Sequence, residues 1–224
     1  MPPPTFARLL PETVVAVEAF GDPGTEPVFP GEEDLVANAV EGRRREFVTA
    51  RRCAREALAR LGHAPAPIRR GPKGSPVWPP GVAGSITHCT GFRAAAVTPI
   101  GEIVSVGIDA ERAGPLPDGV QPLITVPGEP ELLDRLTAAH PGRSWGTVLF
   151  SAKESVYKAW FPLTGRWLGF EDARLSIDPD AGTFRADLLV PGTRRDGGAP
   201  LTELNGRFLL GADLVFTAVT VEAD

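Results

Sequence analysis

The sequence predicts an α+β protein, because segments with helical and strand-like patterns follow one another in mixed order. Residues from about 32 to 61 and from 145 to 160 repeat apolar side chains near the 3.6-residue helical period. Strand-like patterns occur at 85–89, 92–100, 102–109, 168–178, 183–190 and 209–221. The 224 residues suit one large domain or two fused halves of about a hundred residues each.

The remaining segments separate these elements. The first forty residues are rich in turns, with Gly21-Asp22-Pro23-Gly24 and Phe29-Pro30-Gly31 between short apolar pieces. Gly42 divides the first helical stretch into two predicted helices, and Gly62 ends it. Residues 112–128 are predicted to form a loop, and a helix is predicted at about 129–140.

Composition excludes several classes of protein. With 42% hydrophobic and 23% charged residues the chain is typical of globular proteins, and no apolar run approaches a membrane span. The N-terminal pattern does not resemble a signal peptide, so we expect a cytoplasmic protein with reduced Cys53 and Cys89. A net charge of -5 argues against a nucleic-acid-binding surface.

Asp109 and Glu111 stand at the end of the strand-like segment VGIDAE. Their i, i+2 spacing places both carboxylates on one face of a strand. Carboxylate oxygens suit a hard cation such as Mg2+, which takes a few carboxylates and completes its shell with water and phosphate oxygens. An exposed acidic pair without a ligand is the alternative for this motif alone.

Glu154 and Lys158 lie one turn apart in the helical segment FSAKESVYKAW, away from its apolar stripe. An ordinary surface ion pair is the alternative to a functional role. Only three of the 23 basic residues are lysines, namely Lys73, Lys153 and Lys158. Because two of them occur in this segment, a compact ammonium is predicted to have a function there that arginine does not replace.

Basic residues also mark two other places. The glycine-containing loop Arg69-Arg70-Gly71-Pro72-Lys73-Gly74-Ser75-Pro76 suits an anion, although it lacks the spacing of a phosphate-binding Walker loop. It precedes the segment Gly84-Ser85-Ile86-Thr87-His88-Cys89. In the first helical stretch a basic stripe forms from Arg44, Arg51 and Arg55, for which a solvated arginine face is the alternative.

In this order, Lys73-Gly74-Ser75-Pro76 with SITHC, then VGIDAE, then FSAKESVYKAW resemble the 4'-phosphopantetheinyl transferases of the Sfp/EntD type. The segments RRREFVTARRCAREAL, GSITHCTGFRAAAV and FPLTGRWLGFED are similar to actinobacterial members, which activate polyketide, peptide and lipid synthases. The likeness covers about residues 30 to 175 with specific motifs.

The resemblance implies a pseudo-dimer of two similar α+β halves, residues 1–104 and 105–224, with the active site in the cleft between them. It implies a Mg2+ or Mn2+ cofactor, coenzyme A (CoA) as substrate, and acyl and peptidyl carrier proteins as partners. The size of the chain suggests a monomer, with the pseudo-dimer internal to it. The implied metal ligands are Asp109, Glu111 and Glu154, and the implied catalytic residues are Glu154, Lys158 and Lys153. The implied CoA contacts are Arg43, Arg51, Arg70, Lys73, Ser85, Thr87 and His88, although the helical stripe favours Arg44 over Arg43.

The implied chemistry is transfer of phosphopantetheine from CoA to a serine hydroxyl. Glu154 would take the serine proton, directly or through a water, and Lys158 would neutralise the departing 3',5'-ADP. One alternative is an inactive CoA- or carrier-binding module, but neither a metal carboxylate nor Lys158 is lost. Another is a hydrolase using Ser144 of Gly142-Arg143-Ser144-Trp145-Gly146, but no histidine follows that serine in the chain.

Overall fold

The computed structural model describes residues 5–24 and 26–224, and it contains two antiparallel sheets. The smaller sheet has the order β1-β3-β2 and consists of β1 (Val15–Phe20), β2 (Val82–Cys89) and β3 (Phe92–Pro99). The larger sheet has the order β4-β8-β7-β6-β5 and consists of β4 (Ile103–Arg112), β5 (Ala173–Asp178), β6 (Thr183–Gly192), β7 (Leu201–Leu210) and β8 (Leu214–Glu222). The α-helices are α1 (Glu41–Arg60), α2 (Gln121–Ile124), α3 (Glu129–Ala139) and α4 (Trp145–Thr164), and short 3-10 helices occur at Phe6–Arg8, Glu33–Val36, Pro72–Gly74 and Phe170–Asp172.

Helix α1 covers one face of the smaller sheet. Its apolar stripe includes Cys53, Ala54 and Leu58, which pack in one cluster with Ala95 and Val97 of β3. Small side chains on both surfaces allow the helix to lie close to the strands. Burying a side chain such as that of Leu58 stabilises the fold by about 1.5–3 kcal/mol.

Helix α4 lies directly on β4 and β8 of the larger sheet. The approach is so close that a Cβ atom at Gly107 would collide with the carbonyl oxygen of Ser155. Next to this contact, the Ser105 hydroxyl donates to the carbonyl of Ala159 at 2.7 Å. The glycine and the serine therefore fix where the first half of β4 lies against the second half of α4.

The two sheets meet where their edge strands β2 and β4 run side by side. Side-chain hydroxyls of β2 join them: the amides of Ile108 and Ala110 donate to Ser85 Oγ and Thr87 Oγ1, each at 3.1 Å. Thus β4 bonds to β8 through one edge and to β2 hydroxyls through the other. Phe92 and Phe216 pack edge to face at 5.2 Å in a core that both sheets share.

The predicted fold class is confirmed by this two-sheet α+β architecture. The predicted boundary between residues 104 and 105 falls inside β4 and stays a prediction. Two helical pieces occur in the stretch predicted to divide at Gly42, a 3-10 helix at Glu33–Val36 and α1, but the division lies at 37–40; Gly42 is in the first turn of α1, where a helix tolerates it.

Three strand predictions were wrong in part, and the loop predicted at 112–128 contains the short helix α2. The segment predicted as a strand at 168–178 forms a 3-10 helix at Phe170–Asp172 before β5 begins at Ala173. The segment predicted as one strand at 209–221 contains the end of β7, the turn at 211–213 and β8. Strand β1 lies in the region expected to hold only turns and short apolar pieces. None of the helices in the described parts of the chain combines the length and apolar character needed to cross a bilayer.

Candidate active site

Four charged side chains come together where β4 crosses α4, and we call them the carboxylate pocket: Asp109, Glu111, Glu154 and Lys158. The two acids of β4 share a strand face because they are two residues apart. Glu154 and Lys158 share a helix face because they are four residues apart. The close contact of β4 with α4 at Gly107 brings these two faces together.

Asp109 is the most strongly held member of the carboxylate pocket. It is buried, with 4% of its surface exposed. Lys158 Nζ donates to its Oδ1 at 2.7 Å, and Ser151 Oγ donates to its Oδ2 at 2.8 Å. Thr87 Oγ1 donates to Oδ1 at 3.2 Å, and Lys158 also donates to the Ile108 carbonyl at 3.1 Å. Elements from both halves therefore orient this carboxylate.

The other two carboxylates of the pocket are harder to ionise than free glutamates. Burial raises the pKa of Glu111 to about 7, and the negative charge of Asp109 adds to this effect. Burial also raises the pKa of Glu154; Lys158 opposes the rise and Asp109 adds to it. Three acids thus share a single ammonium, and a further positive charge would favour their ionised forms.

The donor chemistry of the carboxylate pocket fits Mg2+ or Mn2+. Asp109, Glu111 and Glu154 offer only oxygen atoms, which hard cations prefer to nitrogen or sulfur. Burial, and with it the negative charge of Asp109, raises the pKa of both glutamates, and a bound cation would oppose this rise. Within residues 5–24 and 26–224, no three acidic, histidine or cysteine side chains are already arranged around a common metal position.

A cleft of about 450 Å³ opens beside the carboxylate pocket. The first half contributes the loop at 72–76, Trp78 and the start of β2 at 84–86, and the second half contributes one side of α4. Tyr157 and Phe161 make that side largely apolar, whereas Lys158 belongs both to the cleft and to the carboxylate pocket. Lys158 is therefore shared by the cleft and the carboxylate pocket.

Arg43 and His88 form a basic contact beside this region. The guanidinium of Arg43 lies 2.8 Å from His88 Nε2, so it is Arg43 rather than Arg44 that reaches the histidine. Desolvation, followed by the positive charge of Arg43, lowers the pKa of His88 to about 4. Because the His88 side chain is solvent-exposed, we attribute the lowered pKa of His88 mainly to the positive charge of Arg43 and less to desolvation. His88 is consequently neutral at physiological pH.

The arginine stripe of α1 does not form a uniform solvated face. Arg51 is buried; its guanidinium lies 3.8 Å from the Phe47 ring centroid, and its Nε donates to the Ile68 carbonyl at 3.1 Å. Desolvation lowers the pKa of Arg51 to about 10, so it keeps its charge at neutral pH. The exposed Arg70 lies 5.8 Å from the same ring, and Arg55 pairs with the buried Glu32 at 2.8 Å.

Lys153, which the resemblance places among the catalytic residues, does not point into the carboxylate pocket. It is buried on another side of α4, where its Nζ donates to Glu129 Oε2 and to the carbonyls of Ile124 and Phe170, each at 2.8 Å. Three acceptors satisfy all three ammonium protons. Lys153 thereby ties α4 to the segments before α3 and before β5, a structural role that its sequence motif did not indicate.

The other predicted CoA contacts lie on the first half of the molecule. Ser85 lines the cleft while its hydroxyl accepts the bond from β4, and Thr87 directs its hydroxyl to β4 and Asp109. Lys73 lines the cleft in a left-handed backbone conformation, with its ammonium 5.9 Å from the Trp167 ring. Contacts of these residues with CoA stay predictions.

Several residues of the site carry no signal in the sequence. Ser151 bonds to Asp109, Glu129 satisfies Lys153, and Arg195 lines the cleft from a distant loop. A serine or an arginine of this kind has no distinguishing neighbours along the chain. Ser144 is the residue just before α4 rather than the end of a strand, so it does not have the strand-to-helix turn of a hydrolase nucleophile.

Two family models together match most of the chain. The model of the 4'-phosphopantetheinyl transferase N-terminal domain matches residues 31–98, and that of the 4'-phosphopantetheinyl transferase superfamily matches residues 105–196. The chain belongs to this superfamily. This membership confirms the predicted family. The protein is therefore a transferase of a family that uses CoA as a substrate.

Individual phosphopantetheinyl transferases are similar over nearly the whole chain. Svp of Streptomyces mobaraensis is 52% identical over 97% of this chain and 89% of its own length. Npt of Nocardia iowensis is 47% identical over 94% of this chain and 97% of its own. PptT of Mycobacterium tuberculosis is 45% identical over 96% of this chain and 97% of its own. Enterobactin synthase component D of Salmonella typhi is 32% identical over 64% of this chain.

Proposed function

We propose that this phosphopantetheinyl transferase moves 4'-phosphopantetheine from CoA to a serine hydroxyl of acyl and peptidyl carrier proteins. The observation that carries the proposal is that the cleft and the carboxylate pocket share Lys158. A molecule that has a diphosphate next to a long, mostly uncharged arm matches this arrangement of a charged pocket continued by an apolar cleft. CoA has this composition.

The surrounding charges suggest how CoA would lie. Its pantetheine arm would occupy the cleft beside Tyr157 and Phe161, with the diphosphate at the carboxylate pocket. Its 3'-phosphate would lie near the basic residues of the first half, Arg43, Arg70 and neutral His88. Arg51 would affect CoA binding indirectly, because its guanidinium is buried. It contacts the Phe47 ring, beside which the Arg70 guanidinium also lies.

The transfer itself forms a bond between the serine oxygen and phosphorus and breaks the bond from phosphorus to the 3',5'-ADP oxygen. Glu154 is the group proposed to accept the serine proton, because burial raises its pKa toward the range of an effective general base. Lys158 is proposed to neutralise the charge that develops on the departing 3',5'-ADP. Asp109 holds the Lys158 ammonium at 2.7 Å and so orients it for this role.

Asp109, Glu111 and Glu154 are the residues proposed to hold Mg2+ or Mn2+. When bound, such a cation supplies positive charge that neutralises the diphosphate and polarises it toward attack. Lys153 is proposed as a positioning residue, since its contacts fix the turn of α4 that carries Glu154. Ser151 and Thr87 position Asp109 in the same way from the two halves.

We further propose a monomer in the cytoplasm, in which the two halves supply both sides of the site. With a net charge of -5, the chain would attract an acidic carrier through a local basic or apolar patch rather than through its overall charge. The same charge argues against nucleic-acid partners. Activation of synthases of secondary metabolism is the role proposed from the resemblance of the sequence motifs to actinobacterial members of the family.

The decisive experiment incubates the protein with CoA, Mg2+ and an apo carrier domain and measures the carrier by mass spectrometry. The proposal expects the carrier mass to increase by one phosphopantetheine group, on the carrier serine. A carrier in which that serine is replaced by alanine is the control and should stay unmodified. Tight CoA binding together with an unmodified wild-type carrier would instead identify an inactive binding module.

A further inference from the structure

Glu46 lies on α1, three residues after Arg43, and contacts two arginines at once. Its Oε2 accepts from Arg43 Nη1 at 3.0 Å, and its Oε1 lies 3.2 Å from Arg93 Nη2. Arg43 belongs to the same helix as the glutamate, whereas Arg93 belongs to β3 of the smaller sheet. Neither the sequence motifs nor the proposed chemistry assigns a function to Glu46.

Arg93 gives the glutamate a fixed partner. Its side chain is only 3% exposed, and its guanidinium donates to the carbonyls of Cys89 and Phe92. These two residues flank the turn between β2 and β3, and His88 directly precedes Cys89. Main-chain bonds therefore hold Arg93, and with it the Glu46 carboxylate, at the end of β2 that carries His88.

Arg43 has no comparable support from packing, because its side chain is 44% exposed. Its Nη1 donates to Glu46 and also lies 2.8 Å from Nε2 of the neutral His88. Its Nε and Nη2 have no acceptor among residues 5–24 and 26–224. These two nitrogens form one edge of the guanidinium, which suits two oxygens of a phosphate group. Contacts at Nη1 thus orient the side chain and leave this edge to a ligand.

The charges around Glu46 allow two explanations of its presence. Asp22 Oδ2 lies 2.7 Å from Arg93, so two carboxylates already balance the charges of Arg43 and Arg93. If Glu46 only adds negative charge beside a phosphate site, its removal should strengthen phosphate binding. If Glu46 holds Arg43 in place, its removal should weaken phosphate binding, because the freed guanidinium must be ordered again when the ligand binds.

We infer that Glu46 is a positioning residue, which is held by Arg93 and keeps Arg43 against His88 to receive the 3'-phosphate of CoA. This inference rests on the proposed function, which places that phosphate near Arg43 and His88. It is supported by the use of both carboxylate oxygens, one on each arginine, since charge compensation of Arg43 alone requires no contact with a buried arginine of another element. Glu46 thereby links the position of α1 to that of β2 at this site.

The test measures, by calorimetry and without a carrier, the Kd values of CoA and of dephospho-CoA, which lacks the 3'-phosphate. Glu46→Ala should raise the Kd of CoA by about two- to fivefold, the range expected for one partly exposed ion pair. The Kd of dephospho-CoA should stay at the wild-type value, which also shows that the variant is folded. In an Arg43→Ala background, Glu46→Ala should have no further effect, because it acts through that guanidinium.

Glu56→Ala is the matched control. Glu56 is an exposed acid of the same helix that pairs with Arg52 at 2.6 Å, and its removal should change neither Kd value.

Three results for Glu46→Ala would overturn the inference and leave the transferase function intact. These are an unchanged or lowered Kd of CoA, an equal increase for both ligands, and an undiminished effect in the Arg43→Ala background. Wild-type protein that binds CoA no more tightly than dephospho-CoA would also overturn it. The expected binding changes without transfer to any apo carrier would overturn the proposed function alone.

Discussion

Helix α4 carries two lysine–carboxylate pairs that have nearly the same length and different surroundings. Lys153 lies 2.8 Å from Glu129, and their side chains are only 2% and 1% exposed. Lys158 lies 2.7 Å from Asp109, and their side chains are 25% and 5% exposed. The first pair is enclosed by carbonyl and amide groups, whereas the second borders the cleft.

The difference shows that burial and satisfaction of hydrogen bonds decide what such a pair does. Glu129 accepts from the amides of Val126 and Leu175 as well as from Lys153, so no charge or proton of the first pair is available to a substrate. In the second pair, Lys158 donates to two protein groups, and its third donor has no acceptor among residues 5–24 and 26–224. Glu111 and Glu154 next to it remain incompletely compensated.

The largest expected effect concerns metal. If the carboxylate pocket works with a bound divalent cation, excess EDTA should abolish carrier modification, and added Mg2+ or Mn2+ should restore it. The Lys153–Glu129 pair needs no metal, so the thermal unfolding midpoint should change little in EDTA. Full turnover in the presence of chelator, with metal analysis confirming its removal, would refute the metal-dependent proposal.

The second prediction exchanges the two lysines for methionine. Lys153→Met should lower the free energy of unfolding by about 3–5 kcal/mol, because it leaves the carboxylate of Glu129 buried without its ammonium. Lys158→Met should cost less stability, since Asp109 keeps Ser151 and Thr87, but it should reduce kcat by about 100-fold. Urea unfolding and carrier assays measure the two effects. Equal losses of stability would show that the pairs do not differ as described.

The third prediction separates two roles of Glu154. Glu154→Gln should keep kcat at least about 100-fold below the wild type even at saturating Mg2+, because an amide cannot accept the serine proton. Asp109→Asn is the comparison and should recover part of its rate as Mg2+ is raised. Glu131→Gln, an exposed acid on α3, is the control for the substitution itself. Recovery of Glu154→Gln to near the wild-type rate would assign the proton transfer to another group.

The fourth prediction tests the basic contact that lies outside the carboxylate pocket. Arg43→Ala and His88→Ala should raise KM for CoA several-fold and change kcat little, because they would contact the 3'-phosphate far from the reacting phosphorus. Their KM values for dephospho-CoA, which lacks this phosphate, should match that of the wild type. The neighbouring Arg44 is exposed, and Arg44→Ala should leave both KM values unchanged. An equal increase of KM for CoA and for dephospho-CoA would show that Arg43 and His88 do not contact the 3'-phosphate.

The smallest expected effect is on stability at mildly acidic pH. The pKa of His88 is lowered to about 4 in the folded protein, against about 6.5 when unfolded, so between these values the unfolded chain binds the additional proton. This residue therefore contributes stability above about pH 6.5 that is lost as the pH falls toward 4. Urea midpoints measured at pH 7 and pH 5 should differ less for His88→Gln than for the wild type. An unchanged difference would show that His88 does not titrate in this way.

Local patterns of the sequence were sufficient for much of the fold. The helical periods predicted α4 and most of α1, and strand-like apolar segments predicted β2, β3 and β4, which are buried on both faces over most of their length. The turn at 211–213 between β7 and β8 was missed because apolar residues flank it closely on both sides. Strand β1 was missed because its pairing with β3 is a long-range contact that local composition does not express.

The sequence by itself determined the family, the chemical types at the site and the spacings that put Asp109 beside Glu111 and Glu154 beside Lys158 on shared faces. The tertiary structure decided which of two lysines in one motif borders the cleft. Helical geometry turns Lys153 away from Lys158 by well over a quarter turn, but it does not say what covers either side. That depends on Glu129 and Asp109, which come from distant parts of the chain and meet α4 only when the sheet packs against it.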